Sequence, residues 1–313
     1  MSRAFVFPGQ GSQAVGMGKE LADAFPAARE IFQEVDDALD QNLSRLMFEG
    51  PLEDLTLTEN AQPALMAVSL AVMAVLKVEA GVTLIEHASF VAGHSLGEYS
   101  ALAAAGTFSI ADTARLLKQR GQAMQNAVPV GEGAMAALLG LDLEAAREVV
   151  AEAAEGEVLD TANDNAPGQV VVSGKRSAVE RAVAVATEKG AKRAMLLQVS
   201  APFHCAMMAP AAEIMAQALA SVDIKAPCVP LIANVTAAPV EDPAEIRRLL
   251  VEQVTGMVRW RESCMVMRGR GVENLVEAGA GKVLSGLAKR IDPDLKGLNV
   301  GKPADIEAFL ATL

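Results

Sequence analysis

Residues 88–98, Ala-Ser-Phe-Val-Ala-Gly-His-Ser-Leu-Gly-Glu, constrain this chain more than any other segment. A short apolar run ends at Gly93, Ser95 follows within G-x-S-x-G, and a helical stretch begins at Leu96. A serine on a sharp strand-to-helix turn has its hydroxyl lifted clear of the sheet, and small neighbours let adjacent backbone close in. The helix start behind it presents free N–H groups to a developing oxyanion. Ser95 is therefore a candidate nucleophile, and the turn needs a strand-and-helix layer to carry it.

The same order recurs along the chain. Arg3–Phe7 is an apolar strand running into Pro8-Gly9-Gln10-Gly11-Ser12-Gln13, and helical patterns follow at 18–40, 63–79, 96–105 and 112–127. Strand, small-residue turn and helix in repetition predict an α/β fold with a parallel sheet covered on both faces. Between 128 and 198 the texture changes. Strand 134–139 and helix 143–154 precede strands 158–161 and 170–173, which are joined by a turn at 163–168. A helix over 177–189 follows, with Ser177 as N-cap and Glu180 at capping-box distance, then a strand over 192–199. That β-α-β-β-α-β order is a ferredoxin-like split βαβ unit, inserted at 128–198 into a core formed by 1–127 and 199–313.

A serine nucleophile needs a base, and the chain has three histidines, His87, His94 and His204. His94 adjoins Ser95 on a tight turn, where neighbouring side chains diverge, and His87 precedes the strand at the far end of the sheet. His204, in a Pro-bearing loop after the insert, remains as the candidate base. One arginine is misplaced for a solvated residue. At about 100° per residue, Arg120 falls on the face formed by Leu116, Leu117, Ala123, Met124 and Ala127. A guanidinium there must find an anion, either an internal carboxylate or one on a substrate beside Ser95. Together these residues suggest acyl transfer from a substrate with a second carboxyl group.

Composition narrows the alternatives. Lys plus Arg at 27 against Asp plus Glu at 39 leaves a net charge of −12, with one Trp and one Tyr, which excludes a nucleic-acid binder. Three cysteines without metal-type spacing fit a reducing cytoplasm and call for no metal. The uncharged run Ala61–Leu76 holds Gln62, Pro63 and Ser69 and falls short of the about 20 residues a membrane span needs. It reads as a buried core helix starting near Pro63, and no membrane association is expected.

The chain resembles the malonyl-CoA:acyl-carrier-protein transacylases. The resemblance rests on Phe7-Pro-Gly-Gln-Gly-Ser-Gln13, Thr58-Glu-Asn-Ala-Gln62-Pro63-Ala64, Gly93-His-Ser95-Leu-Gly97-Glu98-Tyr99, Arg120, Asn165–Gly174, Ala201-Pro-Phe203-His204, Gln253 and Gly281–Leu287, in family order. It implies a hydrolase-like α/β core with the ferredoxin-like insert, Ser95 as nucleophile and His204 as base. Backbone N–H groups of Gln10 and Leu96 would form the oxyanion hole, and Arg120 would hold the malonyl carboxylate. Gln62 would line the pocket, and Asn163 or Asn165 would lie near the acyl or pantetheine group. A backbone carbonyl near Gln253 would orient His204, and Phe203 would narrow the room for an α-methyl branch. The implied partners are malonyl-CoA and acyl carrier protein, with no cofactor and a monomeric chain. Because such carriers are acidic, Lys192, Arg193, Lys289 and Arg290 are candidates for a local basic patch. Gly256-Met257 stand where relatives usually carry Asn-Pro, and Ala280 where proline is common, so a looser loop behind His204 is expected.

Two enzyme alternatives share parts of this pattern. A serine hydrolase, thioesterase or lipase would use the same elbow, but an HGGG-type oxyanion motif and any Asp-Gly dipeptide are absent from the sequence. Gly9-Gln10-Gly11-Ser12-Gln13-Ala14 fits a dinucleotide fingerprint with Glu30 as its acidic residue, weakly, because Pro8 tightens the strand end.

Overall fold

The strand Arg-Ala-Phe-Val-Phe buries its last four residues, so both of its faces must be covered. The computed structural model describes residues 2–313 and shows how. In chain order the strands are β1 (Arg3–Phe7), β2 (Phe90–Gly93), β3 (Gly133–Leu139), β4 (Leu159–Ala166), β5 (Gln169–Lys175), β6 (Arg193–Leu196), β7 (Leu231–Ile232), β8 (Pro239–Val240), β9 (Asn274–Ala278) and β10 (Lys296–Val300). Six form one sheet in the order β10-β9-β1-β2-β7-β8, parallel throughout except the β7–β8 pair. Alternation sorts its side chains: Phe5, Phe7, Val91 and Val276 enter one core, while Ala4, Val6, Ala92 and Leu275 enter another with Trp260 and Leu284. Register sets Phe7 opposite Gly93, which brings the loop after β1 beside the turn after β2.

The remaining strands form a second sheet, β4-β5-β3-β6, antiparallel at every pairing. Helices Leu143–Ala153 and Arg176–Glu188 cover one face through Val149 and Val179. On its other face Met135, Ala162 and Val171 join the main core, which docks this sheet against the body of the protein.

Several local expectations need correction. The 18–40 pattern is two helices, Lys19–Ala24 and Pro26–Leu39, because Pro26 starts a new one at its first position. The core helix begins at Thr58, not Pro63, and runs to Ala80. Pro63 lies just inside it, where its missing N–H forgoes only a bond to a first-turn carbonyl. That helix is long and apolar enough to cross a membrane, but 83% of its apolar window is buried inside the protein. Asn163–Ala166 is not a turn but part of β4, and only Pro167-Gly168 separates β4 from β5. The polar side chains are held by tertiary partners: Asp164 pairs with Arg261 Nη2 at 2.8 Å, and Asn165 Oδ1 accepts from His94 Nε2 at 2.8 Å. Ser177 is no N-cap, because the helix starts at Arg176 and the Ser177 hydroxyl donates to Glu157 at 2.8 Å.

Candidate active site

β2 delivers the chain into the Ser95 turn, and helix Gly97–Ala104 takes it away. Ser95 has φ of 54°, in the left-handed region where a side chain is strained. The turn closes because a Cβ at Gly97 would collide with the Phe7 carbonyl oxygen, and one at Gly93 with the Gly97 carbonyl. Asn234 clamps it from the loop after β7. Its Oδ1 accepts from the Ser95 N–H at 2.8 Å and its Nδ2 donates to the Gly93 carbonyl at 2.7 Å.

Ser95 Oγ lies 2.8 Å from His204 Nε2. His204 Nδ1–H donates to the Gln253 carbonyl at 2.9 Å and contacts that of Gly256 at 3.1 Å, so Nε2 is the free acceptor for the serine proton. Burial, followed by the nearby positive charge of Arg120, lowers His204 to about 3, and its imidazole is neutral at neutral pH. The Gly256 carbonyl thus shares in orienting the His204 ring, and the Gly256 N–H is itself anchored to Glu252 O at 2.8 Å. Ala280 lies elsewhere. It lines a separate cleft of about 520 Å³ beside the 12–18 loop.

Arg120 comes from helix Ile110–Asn126 and is 1% exposed. Its Nη1 donates to Gln62 Oε1 at 2.8 Å, and its Nη2 donates to Gln253 Oε1 at 2.8 Å and to Ser95 Oγ at 3.1 Å. These partners are neutral. Among the described residues no carboxylate pairs with Arg120, so the internal-ion-pair alternative does not hold. Its Nε is buried with no partner among the described residues, and the guanidinium lies 5.7 Å from the Tyr99 ring centre.

The serine opens into a cavity of about 310 Å³ lined by Gln10, Gln62, Met124, Asn163, Phe203 and their neighbours. Backbone N–H groups of Gln10 and Leu96 donate to no acceptor among the described residues, whereas those of Gly11 and Gly97 are engaged. Asn163 lines the cavity, but Asn165 instead ties β4 to His94. Lys192, Arg193, Lys289 and Arg290 lie outside the cavity, on the surface. Arg290 Nη1 donates to Gln169 Oε1 at 2.7 Å, and the register row Gln169–Leu139–Arg193 brings Arg193 to the same edge. Asn234, Glu98, Met124 and Met135 were not legible as site residues. Glu98 stood within the quoted motif without a role, and nothing local marks the other three.

A hydrolytic serine site needs a nucleophile, a base and an oxyanion pocket; here a cation is also buried against the serine hydroxyl, with only neutral partners. That addition defines a serine-dependent acyl transferase built on an α/β sheet. The comparisons agree. Residues 4–284 match the acyl transferase domain family. The chain is 49% identical over 311 residues to the malonyl CoA-acyl carrier protein transacylase of Bacillus subtilis strain 168, covering 99% of this chain and 96% of that one. An acyl-carrier-protein S-malonyltransferase structure from Bartonella henselae superposes with a TM-score of 0.97 at 59% identity, over 100% of this chain and 99% of that one. A malonyl-transacylase in complex with its type II PKS acyl-carrier protein, PlMCAT:AntF, gives a TM-score of 0.96 at 42% identity, over 100% of both chains. The chain belongs to the malonyl-CoA:acyl-carrier-protein transacylase family.

Proposed function

We propose that this protein transfers the malonyl group of malonyl-CoA to the phosphopantetheine thiol of acyl carrier protein, supplying fatty acid synthesis in the cytoplasm. The observation that carries this reading is the buried Arg120 guanidinium, 3.1 Å from Ser95 Oγ and bound only to neutral side chains. A carboxylate two bonds beyond a reacting carbonyl would find there the one cation able to receive it bidentately.

In the first half-reaction Ser95 Oγ forms a bond to the thioester carbon while its proton passes to His204 Nε2. The N–H groups of Gln10 and Leu96 hold the oxyanion, each contributing roughly 3 kcal/mol. The C–S bond then breaks, and the imidazolium returns its proton to the CoA sulfur. The carrier thiol repeats the sequence on malonyl-Ser95: it gives its proton to His204, bonds to the acyl carbon and expels Ser95 Oγ, which recovers the proton. The kinetics are ping-pong. The thioester supplies the driving force, so no cofactor or metal enters. Gln253 orients the base through its main chain, Asn163 lies along the path of the pantetheine arm, and Phe203 restricts branching at the α-carbon. The edge carrying Lys192, Arg193, Lys289 and Arg290 receives the acidic carrier. The steps above call on no residue of a second copy, and we read the protein as a monomer.

We also read 128–198 as a ferredoxin-like subdomain set into a core of 1–127 and 199–313; its support is the β-α-β-β-α-β order and the all-antiparallel sheet β4-β5-β3-β6. The hydrolase reading is disfavoured by Arg120, which serves no purpose for a neutral acyl chain. Intact-protein mass spectrometry after mixing with malonyl-CoA or acetyl-CoA tests the assignment. A malonyl adduct on Ser95, discharged by carrier protein and absent in Ser95→Ala, is expected, with Arg120→Ala losing malonyl but retaining acetyl labelling. Free malonate accumulating from unmodified protein would establish the hydrolase instead.

A further inference from the structure

Glu98 is 1% exposed, one residue past the second glycine of the elbow, and no step above uses it. Its Oε2 accepts from Gln253 Nε2 at 2.5 Å and from the Asn234 N–H at 3.4 Å. Among the described residues no cation pairs with it directly. Gln253 carries the contact onward: Nε2 also donates to the Ser95 carbonyl at 2.9 Å, and Oε1 accepts from Arg120 Nη2 at 2.8 Å. Only one orientation of that amide serves all three neighbours, because a carboxylate and a carbonyl only accept and a guanidinium only donates. A buried cation and a buried carboxylate, neither with an ion partner, thus face each other across a single amide.

We propose that Glu98 is a positioning residue for acyl selection: through Gln253 it balances the charge of Arg120 and sets how strongly the guanidinium binds a carboxylate on the acyl group. This rests on the reading of Arg120 as the partner of the malonyl carboxylate. With a neutral acyl group the two buried charges cancel. A malonyl carboxylate on Arg120 adds a second negative charge in a poorly screened interior. Malonyl binding therefore favours a protonated Glu98, and by reciprocity a protonated Glu98 favours malonyl. Burial raises Glu98 to about 7, so both forms exist near neutral pH. The ionisable groups that face it are Arg120 on helix Ile110–Asn126 and Tyr99 on its own helix, the phenol being pushed up by burial to about 12. Helix Pro243–Thr255 and the loop after β7 present the amides Gln253 and Asn234, and helix Thr58–Ala80 keeps Glu59 paired with Lys118 at 3.5 Å. His204 stands beyond the Gln253 main chain, neutral.

The test is the ratio of kcat/KM for malonyl-CoA over acetyl-CoA in single-turnover acylation of Ser95 from pH 6 to 8.5. The CoA moiety is common to both donors, so its titrations cancel. In the wild-type protein the ratio is expected to fall roughly tenfold as pH rises through 7. Glu98→Gln, which keeps the shape and an acceptor but no charge, should give a flat profile at the low-pH level. A purely structural Glu98 would lower both donors together and leave the slope intact, which overturns the proposal. A flat wild-type profile overturns it with no variant at all, so a Glu98→Gln protein that fails to fold does not shield it. If Arg120→Ala leaves the ratio unchanged, the underlying reading of Arg120 fails; if Arg120→Ala collapses the ratio while the wild-type profile is flat, only the role of Glu98 fails.

Discussion

Replacing Asn234 by alanine probes how Ser95 is held. A serine in the left-handed region costs roughly 1–2 kcal/mol against ordinary backbone, and the Asn234 side chain, 1% exposed, is what restrains it. Asn234→Ala removes two buried hydrogen bonds worth about 1 kcal/mol each and leaves a buried N–H and C=O without partners. A net loss of about 3 kcal/mol in stability is expected, a fall of roughly 6–12 °C in Tm by circular dichroism. Activity should fall further than stability. A relaxed turn moves the Leu96 N–H away from its proposed place at the oxyanion, and loss of one such donor costs about 100-fold or more in rate. Quench-flow acylation by malonyl-CoA, followed by intact mass at a temperature where the variant is folded, reads that step directly. Asn234→Asp separates the two contacts, since one carboxylate oxygen still accepts from the Ser95 N–H while the other opposes the Gly93 carbonyl. An Asn234→Ala protein that melts and acylates like the wild type would refute the reasoning, because the turn would then be held by its glycines and the Gln253 amide without Asn234.

Two further outcomes are expected. Reversing the charges of Arg193 and Arg290 together should raise KM for carrier protein about tenfold, with the effect shrinking as salt increases and the rate of malonyl-Ser95 formation retained. Because burial holds His204 at about 3, the unfolded chain takes up a proton below about 6.5 that the folded chain refuses, so this group's stabilisation is lost as pH falls from 6.5 towards 3. Unfolding free energies from denaturant titrations between pH 7 and 5 should slope less in His204→Gln than in the wild type, by about 1 kcal/mol per pH unit, and equal slopes would show that His204 is not buried neutral.

What was legible in the sequence was what is local or periodic. The elbow is contiguous, so its strand, glycines and serine can be read in one line, and Arg120 stands out because a helical period exposes a cation on an apolar face. The Gln253–Glu98–Asn234 arrangement was not legible, since three elements distant in sequence converge there and each residue alone resembles an ordinary polar side chain. Asn163–Ala166 misled for a related reason: Asn and Asp favour turns locally, and only the contacts of Asp164 with Arg261 and Asn165 with His94 keep the segment in a strand. Ser177 had the spacing of a cap, but Glu157, outside its helix, claims the hydroxyl.

Ser95 and His204 are 109 positions apart, with the whole four-stranded sheet encoded between them. Contacts of such separation form late in folding, after shorter loops have closed. The main sheet closes over longer spans still, Val91 to Leu231 and Arg3 to Asn274, so a chain that has formed only its helices and the antiparallel sheet has a Ser95 without a proton acceptor. With His204 as the proposed base, such a chain is mute towards thioesters, and reactivity appears only when the loop after β6 seats His204 against the main sheet. Labelling of Ser95 by a serine-directed probe consequently times the seating of His204, not collapse. An immature copy of this enzyme spills no activated acyl groups into water.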